Sequence, residues 1–330
     1  MISLLPLIQN ETLKILRKKR FLVIVLILVV LIPVFTYAQL KMAQEQRKQF
    51  GTADWHVIVQ QKITDYTNSL GSARVPQEWK NWRKVQIQQL QYYLDHDVDP
   101  SAPNGVTFAI GFMNNAVTLF IPLLVLAVAS DLVSGERSSG TIKMLLARPV
   151  ARWKVLTGKL ISLLMFTSLI VLLTAALAYL ISGAVFGYGG WSMPLFTGFQ
   201  IAGADVIDVN VHAVPGWLYM IMQGGLIWFA ALAVACLSFM VTVLVRSTAA
   251  SIVIMMAAII AGGILTNMAS SWKAAKYLFV VNLSLTDYLQ GNLPPIPGMS
   301  LPFSLAVLTI WALAALCVAY AVFLRQDILS

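Results

Sequence analysis

Residues 155–186 read VLTGKLISLLMFTSLIVLLTAALAYLISGAVF, and apart from Lys159 near the start no residue in the run is charged. A helix needs about 20 consecutive apolar residues to cross a bilayer. This run exceeds that, so it is expected to tilt or to begin as an interfacial helix. Five further runs meet the same requirement: Phe21–Leu40, Val106–Ser130, Trp217–Val245, Ala249–Ser270 and Leu301–Leu324. Pro33 and Pro122 lie inside the first two and predict kinks there, tolerable where neighbouring helices satisfy the freed carbonyls.

Working outward, the composition agrees. Of 330 residues, 58% are hydrophobic and 11% charged, against roughly 45–50% and 25% in soluble domains. The charges are also segregated: 29 of the 37 fall in 1–20, 41–105 and 131–159, and the other 216 residues carry 8. No soluble core is that large and that uncharged. The sequence predicts an all-α polytopic membrane protein with six transmembrane helices, and excludes a secreted, disordered or nucleic-acid-binding globular protein. The net charge of +9 comes from Lys and Arg beside apolar spans, where they hold cytoplasmic flanks and touch anionic lipid. Cys236 and Cys317 lie in apolar runs, and His56, His96 and His212 are isolated, so neither a disulfide framework nor a metal site is expected.

Lys and Arg in short loops set the orientation. Five precede the first run (Lys14, Arg17, Lys18, Lys19, Arg20), and six lie between the second and third (Arg137, Lys143, Arg148, Arg152, Lys154, Lys159). The 187–216 loop has none and the 271–300 loop two. Both termini are therefore expected in the cytoplasm, with 1–20 and 131–154 cytoplasmic and 41–105 extracellular. The outer segment reads as two helices, a polar one over 41–70 and a second from Pro76 to about Asp99. The second places Trp79, Trp82, Leu90, Tyr93 and Leu94 on one face, interrupted by Gln86. That stripe suits packing on the bilayer or the span bundle, or else a cap for a substrate or partner.

No catalytic set stands out. Gly135 to Gly140 has the spacing of a phosphate loop, but Thr141 and Ile142 follow where Lys and Ser/Thr are required. No ionisable residue lies well inside a span, since Asp131 and Arg246 sit at edges, which argues against an ion-coupled transporter. Polar span residues such as Asn114, Asn115, Thr174, Gln223 and Asn267 suit interhelical hydrogen bonds.

The informative polar stretch is Asp131 to Lys159. Pro149 pushes Arg148 out of helical geometry and suits the first residue of the next helix. Before it, a short helix capped by Ser138 or Ser139 would put Ile142, Leu145 and Leu146 on one side, bracketed by Gly135 and Gly140. Glu136 would stand near the positive end of that helix's dipole, where it could cap the helix or pair with Arg137 or another base. A short rigid helix between two spans makes a good lever.

The run Glu136, Gly140, Thr141, Leu145, Leu146, Pro149, Arg152, followed by Gly158 and Lys159, resembles the signature of permease subunits of type-2 ABC exporters. The amphipathic stretch Leu4–Arg20 resembles that family's interfacial elbow helix. One departure is Ser138, where many members carry a second acidic residue. The resemblance implies a bacterial cytoplasmic-membrane permease pair, homo- or heterodimeric, served by two separate ATP-binding subunits that hold ATP and Mg. The chain itself would be no enzyme and bind no cofactor. Gly135, Glu136, Arg137, Gly140, Thr141, Leu145, Leu146 and Pro149 would form the ATPase-coupling segment. Cargo does not follow from the resemblance; an uncharged pathway suits hydrophobic or amphipathic cargo. The alternative is a membrane sensor or assembly factor that binds an external ligand through 41–105.

Overall fold

The computed structural model describes residues 4–50, 54–72, 77–100, 103–141, 150–202, 205–207, 209–245, 247–268 and 272–325. The chain is mostly helical. Among the described residues, five helices are long and apolar enough to cross a membrane, or six if one bent pair counts as a span. After α1 (Leu4–Arg17), the first long helix α2 (Arg20–Phe50) runs through Pro33. Ile24, Leu28, Ile32 and Thr36, four residues apart, form its buried stripe, while Leu22, Val23 and Leu26 face outward. That is the pattern of a helix with one face on protein and the other on lipid.

The second apolar run is not one helix. It divides into α5 (Gly105–Ala116) and α6 (Phe120–Ala129), with a bend of 62° at the break. Pro122 explains the position. It has no N–H for the carbonyl of Thr118 and its ring would crowd that carbonyl, so the helix stops and restarts with proline in its first turn. Asn104 opens α5 with a capping box: its side chain accepts from Thr107 N–H, and the Thr107 hydroxyl accepts from Asn104 N–H.

After the short α7 (Ser134–Ser138), α8 (Arg152–Phe186) is the central helix. At 1.5 Å per residue its 35 residues span about 52 Å, against a hydrocarbon core of about 30 Å. A helix of that length must tilt or extend beyond the apolar layer, and its first turns carry Arg152, Lys154 and Lys159. It packs against α1, α2, α5, α6, α9 (Gly216–Leu244) and α12 (Leu301–Arg325), and α9 in turn packs on α12 and on α10 (Thr248–Met268). The main core lies along these contacts, with Phe166, Ile170, Ile227, Val234, Phe239 and Phe323 buried.

Two loops differ from expectation. The 41–105 segment does not form a helix over 41–70. Residues 41–50 continue α2, and a new helix α3 (Trp55–Leu70) starts where the Asp54 side chain caps His56 N–H. It forms a hairpin with α4 (Gln77–Asp95). The 187–216 loop departs from the all-α expectation and forms a β ribbon. β1 (Pro194–Thr197) pairs antiparallel with β4 (His212–Pro215), and β2 (Gln200–Ala202) pairs with β3 (Asp205–Ile207) nested inside. The Gln88 side chain docks α4 on the ribbon by accepting from Val206 N–H at 2.6 Å. Two 3-10 turns, Lys273–Tyr277 and Phe279–Asn282, and α11 (Asp287–Gln290) complete this hairpin end. The opposite, basic end carries α1, α7 and the start of α8. Trp79 is largely exposed, and Trp82 is half-buried against Tyr66 and Trp79. The buried face of α4 is Val85 and Gln89.

Candidate functional site

The basic end holds a buried ionic cluster assembled from three parts of the sequence. On α1, Glu11 and Lys14 are one helical turn apart, and Glu11 is buried with Ile15 on the face that meets α8. Lys159 enters from the third turn of α8, with its side chain fully buried. Glu136 enters from α7. Each carboxylate bridges both lysines. Lys159 Nζ lies 2.8 Å from Glu11 Oε2 and 2.7 Å from Glu136 Oε2. Lys14 Nζ lies 2.8 Å from Glu11 Oε1 and 2.8 Å from Glu136 Oε1. The charges alternate around a closed ring, so the two like pairs sit diagonally, each screened by opposite charges.

A second pairing extends the cluster toward the membrane. Asp131 receives Lys18 on one oxygen and Arg20 on the other, at 3.1 Å. Arg20 Nη1 also donates to the Ala127 carbonyl at 3.1 Å, satisfying an end of α6. In all, three carboxylates meet four cations here. Burial alone would lower the Lys14 pKa, but its hydrogen bonds to Glu11 and Glu136 and their charges outweigh it and hold the ammonium above its ordinary 10.5. The Lys14 contribution is therefore fully present below pH 10.5 and is lost only as pH climbs past the raised value.

The expected coupling residues distribute around this cluster. Glu136 is turned inward onto Lys14 and Lys159, and its side chain is 9% exposed. Gly135 lies against Asp131: a Cβ there would come 1.9 Å from Asp131 Oδ1, so only glycine lets α7 pack this closely. Arg137 Nη1 donates to the Val243 carbonyl at 2.7 Å, a cation on the last turn of α9, where the helix dipole favours it. Gly140, with φ of +71°, turns the chain away from α7 in the left-handed region that favours glycine. Ser138 and Ser139 donate to the Gly135 carbonyl, at 3.0 and 2.8 Å, and so close α7. Thr141 is exposed just beyond. Leu145, Leu146 and Pro149 lie outside the described residues. Gly158 packs on Leu7 of α1, and Arg152 begins α8.

Sequence reading missed Glu11 and underweighted Lys159, which occupies an apolar run yet is fully buried among charges. The available signal was the Glu11–Lys14 spacing on an otherwise amphipathic helix, matched by a single lysine in the following apolar run. Nothing in the sequence connected positions 11 and 159.

Chemically, the cluster is a fastener. The ring's members all have opposite-charge partners, and no His, Cys, Asp or Glu grouping suited to a metal occurs among the described residues. α7 is tied to α1 and α8 through Glu136 and to α9 through Arg137, so displacement of α7 strains three helices together.

Comparisons with known proteins agree with a membrane protein. The chain is 28% identical over 250 residues to an uncharacterized protein, YhcI, of Bacillus subtilis, covering 76% of this chain and 77% of that one. It is 30% identical over 228 residues to an uncharacterized membrane protein, YdbK, of the same organism, covering 66% of this chain and 83% of that one. A shorter similarity, 29% over 97 residues, relates it to a probable ABC transporter permease protein, NosY, of Stutzerimonas stutzeri, covering 28% of this chain and 35% of that one. Residues 79–329 match the family described as protein of unknown function (DUF2705). The chain is a multi-pass membrane protein that belongs to the DUF2705 family.

Proposed function

We propose that this chain is the membrane subunit of an ATP-driven ABC exporter of the type-2 kind. The observation that carries the reading is the position of Gly135–Thr141. This segment, which resembles the exporter signature, is held by Glu136 against lysines of α1 and α8 and by Arg137 against the last turn of α9. The partial similarity to a probable ABC permease supports it. ATP and Mg belong to two separate ATP-binding subunits, since this chain has no phosphate loop. A second permease, the same chain or a relative, completes the pathway.

In this reading both termini and the segment 131–154 face the cytoplasm of a bacterial cell membrane, with α1 as the elbow. The stretch beyond Gly140 meets the ATPase. Glu136 is a positioning residue that locks α7 to the span ends, so that ATP-driven movement of the segment pulls on α6, α8 and α9 together. Uncharged span faces suit hydrophobic or amphipathic cargo. Affinity purification of the full chain from its native membrane, followed by protein mass spectrometry, tests this. Recovery of a phosphate-loop ATPase in about equal amount supports the reading. Recovery of a kinase or other enzyme with no such ATPase overturns it.

A further inference from the structure

On the hairpin side of the bundle, the stretch 272–282 leads from α10 toward α11. α10 has 21 residues and so spans about 31 Å, close to the roughly 30 Å of a bilayer's hydrocarbon core. The residues that follow it therefore stand at headgroup level. Trp272 and Tyr277 are exposed there, as aromatic residues are in the interfacial belts of membrane proteins. The turn Lys273–Tyr277 is a 3-10 helix. A period of three eclipses residues i and i+3, so Lys273 and Lys276 lie in one row, about 6 Å apart along the axis.

The row is held rigidly. Ala275 is fully buried beneath it. Asn282 Nδ2 donates to the carbonyls of Lys276 and Leu278, each at 2.8 Å. Trp311 Nε1 of α12 donates to the Tyr277 carbonyl at 2.8 Å. Lys276 Nζ lies over the rings of Tyr277 and Phe303, 5.2 and 5.6 Å from their centroids, which keeps that ammonium at the level of the aromatics.

Neither lysine has a carboxylate at ion-pair distance among the described residues. Asp287, the one acidic residue of the 271–300 loop, accepts from Asn292 at 3.0 Å. Basic residues are otherwise missing from the short loops on this side: 187–216 has none, and 271–300 has these two. Two like charges in one row repel, and an anion between them relieves both. A sugar or a hydrocarbon brings no charge to do so. A zwitterionic headgroup sets an ammonium of its own against two others. An anionic phosphodiester at the membrane surface answers both lysines, with its glycerol beside the exposed rings and its acyl chains in the apolar layer.

We propose that Lys273 and Lys276 bind the phosphodiester of an anionic phospholipid in the leaflet on the hairpin side, with Trp272 and Tyr277 flanking it at the interface. The site does not rest on the transport reading.

The full chain in nanodiscs of phosphatidylglycerol and phosphatidylcholine, in equal parts, provides the test. In separate preparations a trace of one lipid or the other carries a photo-reactive diazirine beside its glycerol, and adducts are mapped by peptide mass spectrometry. Labelling of residues 16–20, at the basic end, is the internal reference, and melting temperature is recorded alongside.

In the wild type the phosphatidylglycerol probe is expected to label residues 272–278 at least about fivefold more than the phosphatidylcholine probe. Lys273→Gln with Lys276→Gln should bring the two probes within twofold there, with labelling at 16–20 and melting temperature unchanged. Lys273→Arg with Lys276→Arg should keep the preference. If the double Gln variant does not fold, Lys273→Gln alone, at an exposed position, should at least halve it. Equal labelling of 272–278 by the two probes in the wild type overturns the proposal, as does an undiminished preference in a folded Gln variant. Full displacement of the lipid probe from 272–278 by soluble glycerol phosphate assigns the lysines to a free phosphate and equally overturns it.

Discussion

Replacing Lys159 by Met removes one corner of the ionic ring and keeps most of its volume. The wild-type ammonium is fully buried, 2.8 Å from Glu11 and 2.7 Å from Glu136. Without it, two carboxylates whose side chains are 6% and 9% exposed share Lys14 alone. Truncating one partner of a buried ion pair costs about 3–5 kcal/mol, because the remaining charge stays buried. At about 1.4 kcal/mol per decade, that is a factor of roughly 10²–10⁴ in the equilibrium for local opening. Hydrogen exchange of the full chain in nanodiscs reads this locally. Amides of α1 and α7 should lose protection by at least 10², while those in the middle of α9 change little. Lys159→Met combined with Glu136→Gln should recover about 1–3 kcal/mol of the loss, since the two sites share one network. The pH dependence has a fixed sign. Burial opposes it, but the charges and hydrogen bonds of Lys159 and Lys14 hold the wild-type Glu136 carboxyl below its ordinary 4.5, so its contribution is fully present above pH 4.5 and is lost as pH falls through the lowered value; in the variant that acid-side loss should shrink. Exchange in α1 and α7 within threefold of wild type at pH 7 would refute the fastening role.

Three further outcomes follow from specific contacts. Gly135→Ala would place a methyl group 1.9 Å from Asp131 Oδ1, so the carboxylate must swing off Lys18 and Arg20 or α7 must move; a loss of about 1–3 kcal/mol in thermal unfolding is expected. Arg137→Ala removes the cation from the Val243 carbonyl at the end of α9; faster exchange in that last turn, corresponding to about 1–2 kcal/mol, is expected. On the hairpin, His56 bridges Asp54 and Asp97, each at 2.9 Å, and hydrogen bonds to these carboxylates raise its pKa above 6.5. The bridge between the start of α3 and the end of α4 is therefore complete below pH 6.5 and released as pH rises through the raised value. Exchange at residues 54–58 should accelerate on that rise, and His56→Ala should remove the pH dependence.

The spans were the legible part. Apolar runs of 20 or more residues have no other stable home, so the expected bounds 21–40, 155–186, 217–245, 249–270 and 301–324 fall within or close to the observed helices. The break in the second run was half-legible: Pro122 marked it, but the bend falls at the preceding turn, where the missing N–H and the ring crowding act. The ribbon carried a short signal: Ile207, Val209 and Val211 alternate with Asp208, Asn210 and His212 in the manner of a strand. The lack of Lys and Arg in that loop speaks to orientation and not to strands. The ionic ring was illegible because its corners are 148 positions apart in sequence, and only the packing of α1 on α8 brings them together. The Gly135–Thr141 segment was singled out from its residues, while the inward direction of Glu136 depended on two lysines supplied by other helices.

The central claim is that the chain beyond α7 docks on an ATPase. A photo-reactive amino acid at Thr141, exposed just past Gly140, tests it in intact cells. The account predicts an ultraviolet-dependent adduct with a phosphate-loop ATPase, absent when the same probe replaces Leu172, which faces outward from the middle of α8. An adduct at position 141 with lipid or with other proteins only, in cells where that ATPase is present, would contradict it.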